Sequence, residues 1–304
     1  MTLCIGDILR LHSKQLEAAL NLDSGSARIE VQCLLQAVLQ VNRARLLTHP
    51  EQPLDADQYA RYMALLERRL GGEPIAYLLG EREFYGLTFK VSPATLIPRP
   101  ETELLVELAL QRIPSPGLTA PLPRERERGW GRGESFRVLD LGTGSGAIAL
   151  SIAHSRPDAE VVAVDASAAA LEVARFNAQR LALGNVRLLR SDWFSALHGE
   201  RFDMIVSNPP YIAAGDAHLT QGDVRSEPSS ALASGADGLD DIRRICAQAK
   251  VHLNVKGWIL FEHGYDQAAR VRALLQQSGF AGIFSARDLA GIERVSGGYM
   301  VALA

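Results

Sequence analysis

The sequence contains only three cysteines, Cys4, Cys33 and Cys246, and they lie far apart along the chain. An odd number of widely spaced cysteines argues against a disulfide framework or a zinc site, so we expect buried free thiols and no bound metal. Unpaired thiols are typical of a reducing compartment, and we therefore expect a cytoplasmic protein.

Long hydrophobic runs are also missing. No apolar run approaches the roughly 20 residues that a membrane-spanning helix needs. The first 20 residues carry charges throughout, including Asp7, and their apolar residues recur at helical spacing. This pattern predicts an amphipathic helix rather than a signal peptide, and we expect no contact with a membrane.

An excess of charge of one sign is absent as well. The 32 basic and 35 acidic residues leave a net charge of −3, so the chain lacks the global field of a non-specific nucleic-acid binder. Hydrophobic residues make up 47% and charged residues 22%, values that permit a sizeable core and exclude wholesale disorder. The length of 304 residues suggests about two domains, and we expect a monomer.

The first part of the chain has a helical pattern. In residues 1–80 the apolar residues recur at helical intervals between prolines and glycines, which predicts a bundle of four or five helices. Residues 81–113 combine a β-hairpin pattern with one helix that opens at Pro100. Residues 114–134 are rich in Pro, Gly, Arg and Glu and are predicted to be a disordered linker. A basic contact arm is the alternative, but four arginines are interleaved with three glutamates there.

Residues 135–304 alternate between buried strands and helices, which predicts an α/β fold with a doubly wound, mostly parallel sheet. The last two predicted strands are joined only by Ala290, Gly291 and Ile292. A parallel crossover needs a dozen or more residues, so the final strand is predicted to be antiparallel.

A glycine-rich loop follows the first strand of this sheet and opens the next helix. Its candidate ligand-binding residues are Gly142, Thr143, Gly144, Ser145 and Gly146. Glycines at such a turn let the backbone approach a ligand closely, although a tight turn without a ligand has the same appearance. The spacing also satisfies the dinucleotide fingerprint. At this point the loop allows either a nicotinamide dinucleotide or S-adenosylmethionine.

Acidic residues end the next two strands. Asp165 ends the second strand, 19 positions after Gly146, where a carboxylate can accept hydrogen bonds from both ribose hydroxyls of a nucleoside. The alternative role for Asp165 is to cap the helix that begins near Ser167. After the third strand, Asp192 can accept from an adenine amino group and Trp193 can pack on the ring, unless Trp193 is only a core residue.

The turn Asn208, Pro209, Pro210 and Tyr211 follows the fourth strand and is the most specific motif. The prolines rigidify the turn, Asn208 and the Pro209 carbonyl can both accept from one NH₂ group, and Tyr211 offers a flat face. Two such acceptors orient the weakly nucleophilic nitrogen of an amide or aromatic amine toward a methyl donor. The turn therefore favours methyl transfer over hydride transfer, with Asn208, Pro209 and Tyr211 as candidate catalytic residues.

Taken together, the loop DLGTGSG, Asp165, SDWF and NPPY resemble the class I S-adenosylmethionine-dependent methyltransferases that act on planar amines. The stretch LIPRPETE (residues 96–103), the preceding helical region, and the C-terminal stretches FEHGYDQ and ERVSGGY resemble more narrowly the release factor glutamine methyltransferases of the HemK/PrmC type. The resemblance covers nearly the whole chain. The segment 114–134 departs from it as a long insertion.

This resemblance implies methylation of the glutamine side-chain amide in the Gly-Gly-Gln motif of bacterial class I peptide release factors, with S-adenosylmethionine as the cofactor. It implies cofactor contacts from the glycine loop, Asp165, Asp192, Trp193 and Asn208, and glutamine binding by Asn208, Pro209, Pro210 and Tyr211. Residues 1–80 would dock the release factor. Arg99, Glu101 and Glu103 would shape the rim of the site or form structural ion pairs, and Glu262 and His263 are interpreted mainly as core or hydrogen-bonding residues.

Two other functions are compatible with some of these motifs. NPPY also occurs in methyltransferases that modify the exocyclic amines of DNA adenine or rRNA guanine, but these need a basic face. Residues 1–80 carry eight basic and nine acidic residues, which predicts no stable nucleic-acid binding. A non-catalytic binding module for translation is disfavoured because the cofactor loop and the NPPY turn are both intact.

Overall fold

The computed structural model describes residues 3–114 and 135–301, which form two compact units. The predicted linker at residues 114–134 therefore lies, apart from Pro114, outside the described residues. The smaller unit comprises the chain up to Glu81 and the segment Thr220–Ser226. Its helices are α1 (Ile5–Leu20), α2 (Ser24–Leu39), α3 (Arg43–Thr48), α4 (Ala56–Leu70) and α5 (Ile75–Leu79).

Local sequence explains where these helices begin. Asp23 precedes α2 and accepts from the backbone N–H groups of Gly25 and Ser26, both at 2.9 Å. Asp55 and Gln58 form a reciprocal capping box at the start of α4. The helices pack on one apolar core, which includes Ile8, Leu16, Val31, Leu35, Tyr62 and Leu66.

The segment Thr220–Ser226 joins the helical unit through charge pairing that the sequence pattern did not predict. Arg69 is only 2% exposed, and its guanidinium contacts both oxygens of Glu30 at 2.7 and 3.0 Å. The same guanidinium pairs with Asp223 at 2.9 Å. Breaking a buried pair on one side leaves an uncompensated charge, so Asp223 fixes this segment in the helical unit.

The larger unit comprises Arg82–Leu219 and the chain from Glu227 onward. It opens with a two-stranded sheet, β1 (Glu81–Phe84) and β2 (Leu87–Lys90). The two turn residues Tyr85 and Gly86 both have positive φ, 53° and 73°, as a two-residue hairpin turn requires. A 3₁₀ turn at Pro100–Thr102 then leads into α6 (Glu103–Leu110).

A seven-stranded sheet forms the body of the larger unit, in the order β5-β4-β3-β6-β7-β9-β8. Its elements are β3 (Arg137–Leu141), α7 (Ala147–Ser155), β4 (Glu160–Asp165), α8 (Ala168–Arg180), β5 (Val186–Arg190), β6 (Phe202–Ser207), α9 (Asp240–His252), β7 (Leu253–Glu262), α10 (Ala268–Gln277), β8 (Phe280–Arg287) and β9 (Glu293–Met300). β3 to β7 pair in parallel, whereas β9 is antiparallel to both β7 and β8. The predicted doubly wound sheet with an antiparallel last strand is confirmed.

One strand begins earlier than the sequence pattern predicted. The apolar run of β7 begins only at Gly257, but α9 passes directly into β7 at Leu253, which pairs with Phe202. The polar residues Asn254 and Lys256 are accommodated by a register shift in the pairing of β7 with β6, and Lys256 takes a positive φ of 65°. An irregularity of this kind lets a strand continue through residues of low β propensity.

Apolar side chains cover both faces of the sheet. Along β3, Val138 packs in a core with α6 and α7, whereas its neighbour Leu139 packs in a second core with α9 and α10. This alternation follows from the two-residue period of a strand. Both faces of the central strands are therefore buried, and only their ends are left to bind a ligand.

Candidate active site

The strand order places a crevice beside β3. Successive strands run outward from β3 in opposite directions, because β3 pairs with β4 on one side and with β6 on the other. In open α/β sheets ligands bind at such a switch point, at the carboxyl ends of the strands. The glycine loop follows β3 and the NPPY turn follows β6, so both predicted motifs flank the same crevice.

The crevice is a cavity of about 430 Å³, within the usual range for small-molecule sites. The structure brings together most of the predicted cofactor residues here. The predicted residues that line the cavity are Gly142, Thr143, Gly144, Ser145, Asp165, Asp192, Trp193, Asn208 and Pro210. Among the described residues, Gly146, Pro209 and Tyr211 are not part of this lining.

The glycine loop needs its glycines for different reasons. Gly142, Gly144 and Gly146 all have positive φ, 74°, 57° and 86°. A Cβ on Gly146 would lie 2.8 Å from Leu150 Cδ1, so packing at the start of α7 requires a glycine at this position. A Cβ on Gly144 would meet nothing within 4 Å, which leaves that part of the loop open.

Asp165 supports the glycine loop directly. Its Oδ2 accepts from the Gly144 N–H at 2.9 Å, and its Oδ1 accepts from the Ser167 N–H at 2.8 Å. The cap of α8 is Ser167, whose hydroxyl oxygen accepts from the Ala170 N–H at 3.2 Å. Asp165 is therefore not the capping residue, and each of its oxygens has a second lone pair for a hydroxyl in the cavity.

A second acid is buried beneath the loop. The Thr143 hydroxyl donates to Asp140 Oδ2 at 2.6 Å, and burial raises the pKa of Asp140 to about 7. Desolvation outweighs the opposing hydrogen bonds at this carboxyl. Asp140 therefore anchors the loop from below, whereas Asp165 holds it from the side of β4.

Asp192 and Trp193, which follow β5, already contact other groups of the protein. Both oxygens of Asp192 accept from the Arg244 guanidinium, at 3.0 and 2.6 Å, and both side chains are exposed. Trp193 has a positive φ of 49°, lies half-buried against the core, and packs beside Gly142. A bulky residue in this conformation is strained, and such strain is concentrated at functional sites.

The NPPY turn presents one unsatisfied polar atom. Asn208 Nδ2 donates to Thr102 Oγ1 at 3.4 Å, whereas the buried Asn208 Oδ1 has no hydrogen-bond partner among the described residues. The Tyr211 carbonyl accepts from Gln267 Nε2 at 2.8 Å, and burial raises the pKa of the Tyr211 phenol. A buried acceptor without a partner is rare in folded proteins and indicates a missing donor.

The LIPRPETE stretch contributes more to the cavity than the sequence reasoning assigned to it. Pro98, Arg99 and Thr102 of this stretch line the cavity, as does Thr95 immediately before it. Arg99 forms an ion pair with the buried Glu227, whose other oxygen accepts from the Ile97 N–H at 2.9 Å. Glu103 instead accepts from the Tyr85 N–H at 2.9 Å and so supports the hairpin turn. The LIPRPETE motif drew attention to this part of the chain, but nothing in the spacing of its residues indicated that Thr95 or Thr102 would line the cavity.

The described residues contain neither a cluster suited to a metal ion nor a helix suited to span a membrane. Across residues 3–114 and 135–301, no group of three or more acidic, His or Cys side chains is arranged to hold a metal ion. Within the same residues, no helix has the length and apolar character to cross a membrane.

Similar proteins share both parts of the chain. The family model described as the PrmC N-terminal domain matches residues 7–80, and the methyltransferase small domain matches residues 130–226. Release factor glutamine methyltransferase of Pseudomonas aeruginosa is 51% identical over 90% of this chain and 93% of its own length. The chain belongs to the release factor glutamine methyltransferase family. Family members from Burkholderia pseudomallei and Vibrio cholerae are 52% and 45% identical over 91% and 97% of this chain, and over 92% and 96% of their own.

Solved structures that are less than 20% identical to this chain share the fold. A methyltransferase from Pyrococcus furiosus is 19% identical, with a TM-score of 0.51, over 78% of this chain and 98% of that chain. The catalytic domain of hMettl16, in complex with the MAT2A 3′UTR hairpin 6, is 15% identical, with a TM-score of 0.53, over 78% of this chain and 84% of that chain. These similarities support the doubly wound methyltransferase fold and nothing more specific.

Proposed function

We propose that this chain transfers a methyl group from S-adenosylmethionine to the side-chain amide nitrogen of the glutamine in the Gly-Gly-Gln motif of class I peptide release factors. Relatives named release factor glutamine methyltransferase, about half identical over most of the chain, support the reaction and the substrate. The observation that carries the proposal is the buried Asn208 Oδ1 beside the cavity, which has no hydrogen-bond partner among the residues that the structure describes. The glutamine NH₂ group supplies the donor that this atom lacks.

The cavity fits S-adenosylmethionine in size and in polar groups. Its volume of about 430 Å³ suits a nucleoside with a short side chain. The proposed contacts are the Gly142–Gly146 loop at the amino-acid portion, Asp165 at the ribose, and Asp192 with Trp193 at the adenine. Three aspartates and two arginines line the cavity, a balance of 2 − 3 = −1 that is compatible with a ligand carrying positive charge on sulfur and on its amino group. When bound, this cofactor supplies an electrophilic methyl group on a sulfonium.

The residues of the NPPY turn orient the nucleophile. Asn208 Oδ1 and the Pro209 carbonyl accept the two amide hydrogens, and Pro210 and Tyr211 pack against the planar amide. The nitrogen lone pair is then directed at the methyl group. With the cofactor bound, the C–N bond would form as the C–S bond broke, the bonding pair would stay with sulfur, and the substrate nitrogen would release one proton to water. No strong base is needed, because the nitrogen becomes acidic as it gains its fourth bond.

A transfer assay tests this proposal. Intact release factor and tritiated S-adenosylmethionine should give labelled release factor, while a Gly-Gly-Gln→Gly-Gly-Ala factor should give none. Free DNA and rRNA serve as further acceptors. Label on nucleic acid but not on release factor would contradict the proposed substrate, and label on the Gly-Gly-Ala factor would contradict the proposed acceptor atom.

Substitution of Asp165 should weaken cofactor binding. Asp165→Ala removes a charge-assisted hydrogen bond worth about 1.5–3 kcal/mol, which corresponds to an increase in Kd of roughly 10- to 100-fold. Asp165→Asn keeps an oxygen acceptor for the Gly144 N–H and should lose less affinity. Calorimetric titration with S-adenosylmethionine measures both.

The exposed Glu172 on α8 offers a matched control, and Glu172→Ala should bind the cofactor normally. A large fall in the melting temperature of Asp165→Ala with unchanged cofactor affinity would mean that Asp165 only supports the loop.

A further inference from the structure

A buried carboxyl group lies next to the NPPY turn. Glu262 ends β7 and is only 2% exposed. Its Oε2 is buried and has no hydrogen-bond partner among the described residues. Burying a carboxyl group without a full set of partners is unfavourable, so its place beside the substrate-binding turn calls for a function.

The groups that face this carboxyl come from several elements. Thr102, from the 3₁₀ turn before α6, and Asn208, after β6, have polar side chains that face this carboxyl and lower its pKa. Arg294 on β9 also lowers the pKa of Glu262, whereas Glu101 raises it. The negative charge of Glu262 in turn raises the pKa of the nearby Tyr211 phenol. Burial outweighs these effects and raises the pKa of Glu262 to about 7.

These contacts define which way the Asn208 amide is turned. Asn208 Nδ2 donates to Thr102 Oγ1 at 3.4 Å, a long bond that cannot fix the amide strongly by itself. The Glu262 carboxyl also interacts with the Asn208 side chain, and since a carboxylate can only accept, it must face Nδ2. With Nδ2 directed at Thr102 and Glu262, Oδ1 remains as the unpaired acceptor. In the opposite orientation Nδ2 would meet the hydrogens of the glutamine amide, and neither group could accept.

We propose that Glu262 is a positioning residue whose carboxylate accepts from Asn208 Nδ2 and so reserves Asn208 Oδ1 for the glutamine nitrogen. This inference rests on the proposed function. The negative charge behind Asn208 also favours the positive charge that passes from sulfur to the substrate nitrogen during transfer. A protonated Glu262 can donate to Asn208 Oδ1 instead, which removes the acceptor from the substrate.

The protonation state of Glu262 therefore predicts a pH dependence. The ionised form is active, so methyl transfer should fall as the pH drops through about 7, the pKa of Glu262. Glu262→Gln has no ionisable group, so this acidic limb should disappear. Its carboxamide oxygen can still accept from Asn208 Nδ2, so at alkaline pH it should retain more activity than Glu262→Ala, which should lose about 10²-fold in kcat.

The experiment measures kcat and KM for intact release factor from mildly acidic to mildly alkaline pH. It compares the wild type, both Glu262 variants and the exposed control Glu172→Gln, with cofactor affinity measured by calorimetry. We expect normal cofactor affinity in every variant and a loss confined to kcat. An acidic limb that persists in Glu262→Gln, or a wild-type kcat in Glu262→Ala, would overturn the inference.

A double substitution separates positioning from a structural role. If Glu262 acts through Asn208, Asn208→Ala with Glu262→Ala should be no slower than Asn208→Ala alone. If the double variant instead loses the product of the two single-variant losses in kcat, the inference is overturned. It is also overturned if the double variant is as slow as Asn208→Ala but Glu262→Gln is unfolded. A wild type that labels no release factor would instead contradict the proposed function itself, and this inference with it.

Discussion

Asn208→Ala should lose about 10²–10³-fold in kcat for release factor methylation, since removal of one oriented polar contact to a transition state has effects of this size. The lost atom is the buried Oδ1 that has no partner among the described residues. Without it, the glutamine amide keeps only the Pro209 carbonyl as an acceptor, and its lone pair is no longer directed at the methyl group. The measurement is single-turnover transfer at saturating S-adenosylmethionine.

Gln179→Ala is the matched control for this substitution, because it removes an exposed carboxamide on α8. It should transfer methyl groups at the wild-type rate. Turnover of Asn208→Ala within a few-fold of the wild type would contradict the acceptor role of Asn208, and the positioning role of Glu262 would then have no basis.

Removal of residues 1–80 should reduce kcat/KM for intact release factor by about 10²-fold or more, because two linked contacts raise affinity by such factors. The predicted docking role of these residues rests on division of labour, since every predicted cofactor residue lies after residue 136. Turnover of a short Gly-Gly-Gln peptide, poor in both proteins, should be similar. The truncated chain should still bind S-adenosylmethionine.

The truncation also removes Arg69, the ion-pair partner of Asp223, so the segment Thr220–Ser226 loses its support. Asp223→Ala in the full chain isolates that effect. If Asp223→Ala alone lowers kcat/KM as much as the truncation does, the loss comes from the segment Thr220–Ser226 and not from docking of the release factor on residues 1–80. A truncated enzyme that methylates intact release factor as well as the full chain would show that residues 1–80 do not dock the substrate.

Local patterns in the sequence were sufficient for the elements of the fold and for most of the cavity. The glycine loop, Asp165 and Asn208 each follow a strand with a clear apolar pattern, and the ends of neighbouring parallel strands must meet. The strand-to-helix turns and the short β8–β9 connection are local as well. For these features the residues that determine the structure are close together in the sequence.

The features that the sequence did not reveal depend on pairs that are far apart. Thr102 and Asn208 are separated by 106 positions, and the contact between them could not be found from spacing. The ion pair between Arg69 and Asp223 likewise joins two distant segments. Asp192 was predicted only as an acceptor for adenine, but its carboxylate pairs with Arg244 on α9. No local sequence pattern around Arg244 indicates this partner.

The position of β9 has a consequence for chains that lack this strand. β9 lies between β7 and β8, and it is the only strand that pairs with β8 in the described sheet. In a chain that lacks residues 293–300, β8 has no partner in the described sheet and one edge of β7 is open. Unpaired strand edges are prone to join other chains. A truncated or proteolysed chain that lacks β9 should therefore be prone to aggregate, although it still contains all the cofactor-binding motifs.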